Sequence, residues 1–194
     1  MTATIKVGFD LDGVLARHCL DYFWFKIRKQ KESGLIANGG MSHFYPKNRW
    51  EKLVLKTINY LRRISFSDKN KIKTWSNLGD FQLFLITARF SFLKQLTLDW
   101  LECNNLTNLF SQIVINKEDQ DPIQFKSLAI NTEGLDVFID DDLEVLEKLA
   151  VSTKAKLFWL IPGWRQKAEN KRKDIVVISS IEEALKKLTQ TPIA

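Results

Sequence analysis

Short apolar runs alternate with segments of helical periodicity along most of this chain. Ile5, Val7 and Phe9 alternate with Lys6 and Gly8, a pattern typical of a β-strand. Further runs of strand character lie at 81–86, 113–115, 135–139, 156–161 and 175–178. Because strands that alternate with helices favour a parallel sheet, the pattern predicts an α/β fold with a mostly parallel sheet covered by helices.

One long segment interrupts this alternation. Residues 19–31 are helix-like and rich in aromatic side chains, and the glycines and proline between 34 and 46 indicate a loop. Apolar positions that recur at helical spacing then predict a second helix over 49–64. The predicted organisation is a core made of residues 1–16 and 76–194, interrupted by a mainly helical insert over 17–75.

The positive charge of the chain is concentrated in the insert. Residues 17–75 hold 14 Lys or Arg and 4 Asp or Glu, a balance of +10 against +6 for the whole chain. The insert also holds 10 of the 22 aromatic residues. Cations pair with phosphate and aromatic rings stack on bases, so the insert could bind a nucleotide-like anion. A solvated helical face over an aromatic core explains the same composition equally well.

Cysteine usage and hydropathy limit the cellular setting. Cys19 and Cys103 lack the spacing of a metal or redox motif, and the amino terminus leads directly into a strand. No apolar run approaches the roughly 18 residues that suggest a membrane span. We therefore expect a reduced, cytoplasmic protein without a membrane partner, and the sequence leaves its oligomeric state open.

Acidic residues follow the first and fourth predicted strands directly. Asp10 and Asp12 come at the end of the first strand, and Asp140 and Asp141 come at the end of the fourth. The carboxyl ends of parallel strands meet at one edge of a sheet, where ligands bind. Carboxylates are hard oxygen ligands that suit Mg²⁺, so these four aspartates form the predicted magnesium site.

The two amino-terminal aspartates predict a phosphoryl-transfer reaction. Asp10 is the candidate nucleophile, since a carboxylate can attack phosphorus and form an aspartyl phosphate. Asp12 is the candidate acid and base, which protonates the leaving oxygen and later takes a proton from water.

Three further positions are predicted to bind the phosphate. Thr87 and Ala88 follow the second strand, where a hydroxyl and backbone N–H groups can hold nonbridging oxygens. Lys126, before the fourth strand, is the favoured cation for the nucleophile and the transferring group. Lys117, just past the third strand, is the competing choice.

These motifs resemble those of the haloacid dehalogenase superfamily of aspartate-dependent phosphohydrolases. The resemblance implies a Rossmann-like sheet with a small cap inserted after the first strand. It also implies that Mg²⁺ is bound by Asp10, the backbone carbonyl of Asp12 and one of Asp140 and Asp141, and that Thr87 and Lys126 bind the phosphate. Within the superfamily, the short chain and the ITAR and IDD motifs look most like the deoxyribonucleotidase group. Because a departing halide needs no proton and a departing alkoxide does, Asp12 favours phosphatase over dehalogenase chemistry within the superfamily. Phosphonate cleavage through a lysine of the insert remains open. The matching segments, in the family's order, are FDLDGVL at 9–15, ITAR at 86–89, Lys126 and FIDDD at 138–142.

The expected substrate is a small phosphomonoester such as a (deoxy)nucleoside monophosphate. A phosphatase that acts on nucleic acid ends is the alternative, as is a nonenzymatic module that binds nucleic acid or phosphate with the same fold. The candidate substrate contacts, all near the hinge or loop of the insert, are Arg17, His18, Phe44, Tyr45, Lys47 and Arg49.

Overall fold

Six strands form one parallel sheet in the computed structural model, which describes residues 4–17, 46, 48–62, 66–161 and 173–190. The strands are β1 (Ile5–Asp10), β2 (Phe81–Thr87), β3 (Gln112–Ile115), β4 (Val137–Asp140), β5 (Lys156–Leu160) and β6 (Ile175–Ile178). Their order across the sheet is β3-β2-β1-β4-β5-β6, and every neighbouring pair is parallel. The predicted mostly parallel α/β fold is therefore confirmed.

Helices cover both faces of this sheet. They are α1 (Arg49–Tyr60), α2 (Phe66–Asn77), α3 (Lys94–Cys103), α4 (Pro122–Glu133), α5 (Leu143–Ser152) and α6 (Ile181–Gln190), with short 3₁₀ turns at Ser91–Leu93 and Thr107–Leu109. Buried residues of α2, α3 and α6 belong to one hydrophobic cluster, and those of α4 and α5 belong to another. Successive residues of a strand belong to the two clusters in turn, as Leu85 and Ile86 do, because neighbouring side chains of a strand point to opposite faces. Among the described residues, no helix is both long and apolar enough to cross a membrane.

Helix α1 differs from the sequence expectation in its buried face. It begins at Arg49, as predicted, because Asn48 and Glu51 form a reciprocal capping box in which Glu51 N donates to Asn48 Oδ1 at 2.8 Å. The helix ends at Tyr60 and not at 64. Most of its apolar residues are exposed, with Trp50 at 77% and Val54 at 54%, whereas Leu55 and Ile58 are half-buried and its buried residue is an asparagine. The periodicity therefore identified the helix but not the side that faces the protein. The predicted helix over 19–31 and nearly all of the predicted loop over 34–46 lie outside the described residues.

Helix α2 packs directly on the sheet. Ile72 and Trp75 are fully buried, and the Trp75 ring meets Phe9 of β1 edge to face with ring centroids 5.5 Å apart. The same indole lies 5.3 Å from the ring of Phe81 at the start of β2. Side chains that precede residue 76 therefore already pack on β1. The predicted boundary between the insert and the core at residue 76 stays a prediction.

Two tryptophans offer a matched test of this packing. Trp75→Ala should lower the free energy of unfolding by about 3–5 kcal/mol, because it removes a large buried ring and leaves a cavity beside Phe9. Trp50→Ala deletes the same side chain at an exposed position and should change the free energy by no more than about 0.5 kcal/mol. Urea unfolding followed by circular dichroism measures both. Equal effects of the two substitutions would contradict the packing described.

Candidate active site

The register of the sheet brings three predicted site residues to one edge. Asp10 is the last residue of β1 and pairs with Ile86, so Thr87 lies one position beyond on β2. On the other side of β1, Phe9 pairs with Ile139, which places Asp140 beside Asp10. The chain leaves β1 toward β2 on one side and later adds β4 on the other, the arrangement in which α/β sheets bind ligands.

A tight loop after β1 holds Asp12 beside this edge. Leu15 N and Ala16 N both donate to the carbonyl of Leu11, at 3.0 and 2.7 Å, and Gly13 N donates to the carbonyl of Ala16 at 3.0 Å. Leu11, Leu15 and Ala16 are buried, whereas the Asp12 side chain keeps 32% of its surface exposed. The loop thus fixes the backbone and leaves the Asp12 carboxylate accessible.

Lys126 lies between the carboxylates of two neighbouring strands. Its Nζ is 3.0 Å from Asp10 Oδ1 and donates to Asp140 Oδ2 at 2.7 Å, and its side chain is only 7% exposed. Helix α4 presents it one turn after a start fixed by Asp121, which accepts from two backbone N–H groups. Lys117, the competing candidate, is exposed. The geometry favours Lys126.

The charges in this buried group shift each other's pKa values. Burial raises the pKa of Asp10 well above its ordinary value; Lys126 opposes this effect, and the negative charges of Asp140, Asp12 and Asp141 add to it. Although burial disfavours the ammonium, Asp10 and Asp140 raise the pKa of Lys126. Lys126 therefore keeps its charge beside these carboxylates.

Two arginines hold Asp12. Arg89 donates from Nε to Asp12 Oδ2 at 2.9 Å and from Nη2 to Asp12 Oδ1 at 2.6 Å, a bidentate pair. Its Nη1 donates to Oγ1 of the fully buried Thr97 at 3.1 Å, which anchors the guanidinium to α3. Nε of Arg62 lies 3.2 Å from Asp12 Oδ1. Burial alone would raise the pKa of Asp12, but Arg89, Arg62 and Lys126 together hold it below its ordinary value.

The three consecutive aspartates after β4 have different surroundings. Asp140 is buried and accepts from the backbone N–H of Asp142 at 3.0 Å. Asp142 caps α5 by accepting from Glu144 N at 3.0 Å. Asp141 offers a carboxylate oxygen within 4.8 Å of oxygens of Asp10 and Asp140, while Trp159 Nε1 donates to its backbone carbonyl at 3.1 Å.

A pocket of about 270 Å³ opens above the strand ends. Leu55, Asn59 and Arg62 line it from α1 and the residues just beyond, and Thr87, Ala88, Arg89 and Phe90 line it from the end of β2 and the segment that follows. The lining residues are Asp10, Asp12, Leu55, Asn59, Arg62, Thr87, Ala88, Arg89, Phe90, Leu93 and Lys126. The structure therefore brings Thr87, Ala88 and Lys126 together with Asp10 and Asp12, and the roles predicted for them stay predictions.

The predicted substrate contacts do not lie in this pocket where the structure describes them. Arg17 is 3.7 Å from Asp68, and Arg49 is exposed at the start of α1. The remaining candidates, His18, Phe44, Tyr45 and Lys47, lie outside the described residues.

Two polar pocket residues, Asn59 and Arg62, were not predicted from the sequence, and Arg89 was named there only as part of the ITAR motif. The spacing Leu55, Asn59, Arg62 is itself helical and could have indicated a common face. Apolar periodicity does not reveal this face, because two of the three residues are polar.

Comparison with solved structures identifies the fold. A haloacid dehalogenase-like hydrolase from Streptococcus pneumoniae superposes with a TM-score of 0.59 and 13% identity, covering 96% of this chain and 100% of that chain. A structure assigned as a β-phosphoglucomutase from Thermotoga maritima superposes with a TM-score of 0.59 and 15% identity, covering 97% of this chain and 100% of that chain. A 2-haloacid dehalogenase from Pseudomonas syringae superposes with a TM-score of 0.55 and 12% identity, covering 96% of this chain and 99% of that chain. The protein has the haloacid dehalogenase fold. Neither a family model nor a curated protein matches the chain.

The haloacid dehalogenase fold confirms the structural part of the resemblance seen in the motifs. Proteins with this fold carry names as different as β-phosphoglucomutase and 2-haloacid dehalogenase, so the fold alone does not define the reaction. Together with the acidic cluster, it fits a hydrolase.

The acidic cluster has the chemistry of a divalent cation site. Asp10, Asp140 and Asp141 offer three carboxylate oxygens within 4.8 Å of one another, and only Lys126 contacts two of these residues as a cation among the described side chains. Burial raises the pKa of Asp10, Lys126 opposes this effect, and the charges of Asp140, Asp12 and Asp141 add to it. Hard oxygen ligands at this spacing suit Mg²⁺, so the residues fit the metal that the family resemblance implies.

Loss of Asp12 should affect stability in a pH-dependent way. A carboxyl group whose pKa is lower in the folded protein stabilises the fold above its unfolded pKa of about 3.9, and this contribution disappears as the pH falls through the folded pKa. Asp12→Asn should therefore be less stable than wild type at pH 7, and the difference should shrink below about pH 4. Urea unfolding from pH 3 to 7 measures it. The exposed control Asp80→Asn should stay close to wild type, and a pH-independent deficit in Asp12→Asn would contradict the ion pair.

A glycine pair tests the cation site. Gly13 has a φ of +83°, and a Cβ there would collide with the Asp141 carboxyl group. Gly13→Ala should therefore displace Asp141 and weaken Mg²⁺ binding by about 10- to 100-fold, measured by calorimetry without substrate. Gly79 has a similar φ of +71° but open space around its Cβ, so Gly79→Ala reproduces the backbone strain alone. Unchanged affinity in Gly13→Ala would exclude Asp141 as a ligand.

Proposed function

We propose that this protein is a magnesium-dependent phosphatase that hydrolyses a small phosphomonoester through an aspartyl phosphate on Asp10. The observation that supports this proposal is the pairing of Asp10 with a buried lysine at 3.0 Å, beside an accessible second aspartate. A nucleophile that carries the phosphoryl group needs a fixed position and a neighbouring cation, and β1 and Lys126 provide them.

The residues divide the reaction into two displacements. Asp10 attacks phosphorus while the bond to the leaving oxygen breaks, and Asp12 gives that oxygen its proton. Water then attacks the phosphorus of the aspartyl phosphate, Asp12 takes the proton of the water, and Asp10 is released with inorganic phosphate. Thr87 and the Ala88 backbone hold nonbridging oxygens, and Lys126 neutralises the transferring group. Mg²⁺, when bound by Asp10, Asp140 and Asp141 with the Asp12 carbonyl, supplies further charge neutralisation.

The arginine contacts of Asp12 suit the second displacement. Arg89 and Arg62 favour the carboxylate form, which is the form that accepts a proton from water. The first displacement needs the protonated form, so we expect these contacts to rearrange when the anionic substrate binds. The arginines would thus change partner between the two steps.

The pocket favours a small substrate. Its volume of about 270 Å³ lies near the lower limit of about 300 Å³ for small-molecule sites. A (deoxy)nucleoside monophosphate is the substrate class we propose to test first, in a cytoplasmic protein. The presence of Asp12 as a proton donor favours phosphate ester hydrolysis over the dehalogenation carried out by some proteins of this fold.

Substitution of the two aspartates tests the mechanism. Asp10→Asn should reduce phosphate release from p-nitrophenyl phosphate and nucleoside monophosphates by at least about 1,000-fold, because it removes the nucleophile. Asp12→Asn should slow turnover by about 100- to 10,000-fold while still permitting phosphorylation of Asp10 by an aryl ester, detected by mass spectrometry. The control Asp99→Asn, at an exposed site, should behave as wild type, and EDTA should abolish activity until Mg²⁺ is restored. Full activity of Asp10→Asn would contradict the proposed mechanism.

A further inference from the structure

The loop between β3 and α4 holds both ends of segment 87–91, which follows the end of β2. At the start of the segment, Asn116 N donates to the Thr87 carbonyl at 3.2 Å. At its end, Ser91 donates twice to Asp119, from its backbone N–H to Oδ1 at 2.6 Å and from its hydroxyl to Oδ2 at 2.8 Å. The three residues between these contacts belong to neither a strand nor a helix, and all three line the pocket. Contacts with this loop therefore fix a stretch of the pocket lining.

Asp119 takes the place of a local cap where segment 87–91 becomes helical. The first backbone N–H groups of a helix have no acceptor within the helix. Phe90, the residue before the 3₁₀ turn Ser91–Leu93, has no polar side chain that could accept from them. Asp119 accepts from Ser91 N although it lies 28 residues further along the chain. The start of the turn is thus anchored to the neighbouring loop and not to its own sequence.

The loop that carries Asp119 is itself held by a buried asparagine. Asn116 is fully buried; its Nδ2 donates to the Gln120 carbonyl at 2.8 Å, and its Oδ1 accepts from Gln120 N at 3.0 Å. These two hydrogen bonds close the backbone around Asp119, which has a φ of +53°. Asp119 therefore presents its carboxylate to Ser91 from a fixed backbone.

The same loop begins the helix that carries Lys126. Asp121 caps α4 by accepting from Ile123 N at 3.0 Å and from Gln124 N at 3.1 Å, and Lys126 follows one turn later. Asp119 fixes segment 87–91, and Asp121 fixes the start of α4. One short loop thus connects two of the elements that line the pocket.

We propose that Asp119 is a positioning residue for phosphate binding by segment 87–91. It acts through Ser91, since the two hydrogen bonds fix where the segment turns away from β2. That turn determines where the Thr87 hydroxyl and the Ala88 N–H meet the nonbridging oxygens of the transferring phosphoryl group. Displacement of such groups by about 1 Å is enough to slow a reaction about 100-fold. Asp119 does not line the described pocket, so its effect on the substrate is indirect.

This inference rests on the proposed phosphatase activity, and its variants suit the observed backbone. Asp119→Gly removes both hydrogen bonds at a φ that glycine adopts freely. Asp119→Asn keeps the acceptor for Ser91 N and can donate from Nδ2 to the Ser91 hydroxyl, so it preserves the contact without the charge. Asparagine also tolerates a left-handed backbone. Asn105→Gly is the control, because Asn105 has a φ of +51° and is exposed.

The experiment measures phosphate binding together with turnover. With Mg²⁺, kcat and KM are determined for p-nitrophenyl phosphate, as is the inhibition constant of inorganic phosphate. Asp119→Gly should lower kcat/KM and raise the inhibition constant by about tenfold or more each, because a displaced segment binds the phosphoryl group less well. Partial unfolding would lower kcat alone, since molecules that stay folded bind phosphate as before. Asp119→Asn should recover most of the loss, and Asn105→Gly should behave as wild type.

Ser91→Ala tests whether Asp119 acts through Ser91. This substitution removes the hydrogen bond of the hydroxyl and keeps that of the backbone, so its effect should be smaller than that of Asp119→Gly. Added to Asp119→Gly it should change nothing further, because the hydroxyl has already lost its acceptor. Mg²⁺ affinity, measured by calorimetry without substrate, should stay at the wild-type value in all these variants, because the acidic cluster belongs to β1 and the end of β4.

Each outcome decides one of the two proposals. An unchanged inhibition constant in Asp119→Gly, or additive effects of Asp119→Gly and Ser91→Ala, overturns the positioning role while the phosphatase stands. An equal loss in Asp119→Asn and Asp119→Gly also overturns it, because the effect would then belong to the charge and not to the contact. If wild type hydrolyses neither p-nitrophenyl phosphate nor nucleoside monophosphates in the presence of Mg²⁺, the proposed function fails and the inference fails with it.

Discussion

The contact of one buried lysine with two aspartates is the constraint on which the site depends. Asp10 and Asp140 end neighbouring central strands, so the sheet itself forces two buried carboxylates together. Their mutual repulsion and loss of hydration would oppose this arrangement without a cation between them. Lys126, on α4, provides that cation at 3.0 and 2.7 Å. The same three residues therefore link the register of the sheet, the position of α4 and the charge of the site.

Two aspartates separated by a single residue have pKa values that shift in opposite directions. Asp10 lies at the end of a buried strand, where desolvation and like charges outweigh its lysine, and its pKa rises. Asp12 lies on the following loop, where two guanidiniums outweigh burial, and its pKa falls. A difference of this kind between neighbouring acids is a recurrent basis for separate roles in catalysis. The fold creates it by a change from strand to loop within the sequence DLD.

The parts of the structure that depend on local pattern were predictable. The alternation of Ile5, Val7 and Phe9 defines β1, and acids at strand ends meet because parallel strands share an edge. Asn59 and Arg62 were not predictable in this way, since their place in the pocket depends on how α1 lies against the loop after β1. The apolar residues of α1 pointed to the wrong face because Trp50, Leu53 and Val54 are exposed.

Gly13 carries a consequence for sequence variation. The space that a side chain would need at position 13 is filled by the carboxyl group of Asp141, which comes 128 residues later in the chain. The two positions therefore cannot change independently: a side chain at 13 is compatible with this fold only if residue 141 becomes smaller or withdraws. A double-mutant cycle across this pair should be strongly non-additive. Gly13 therefore constrains the residue that follows β4 as well as its own turn.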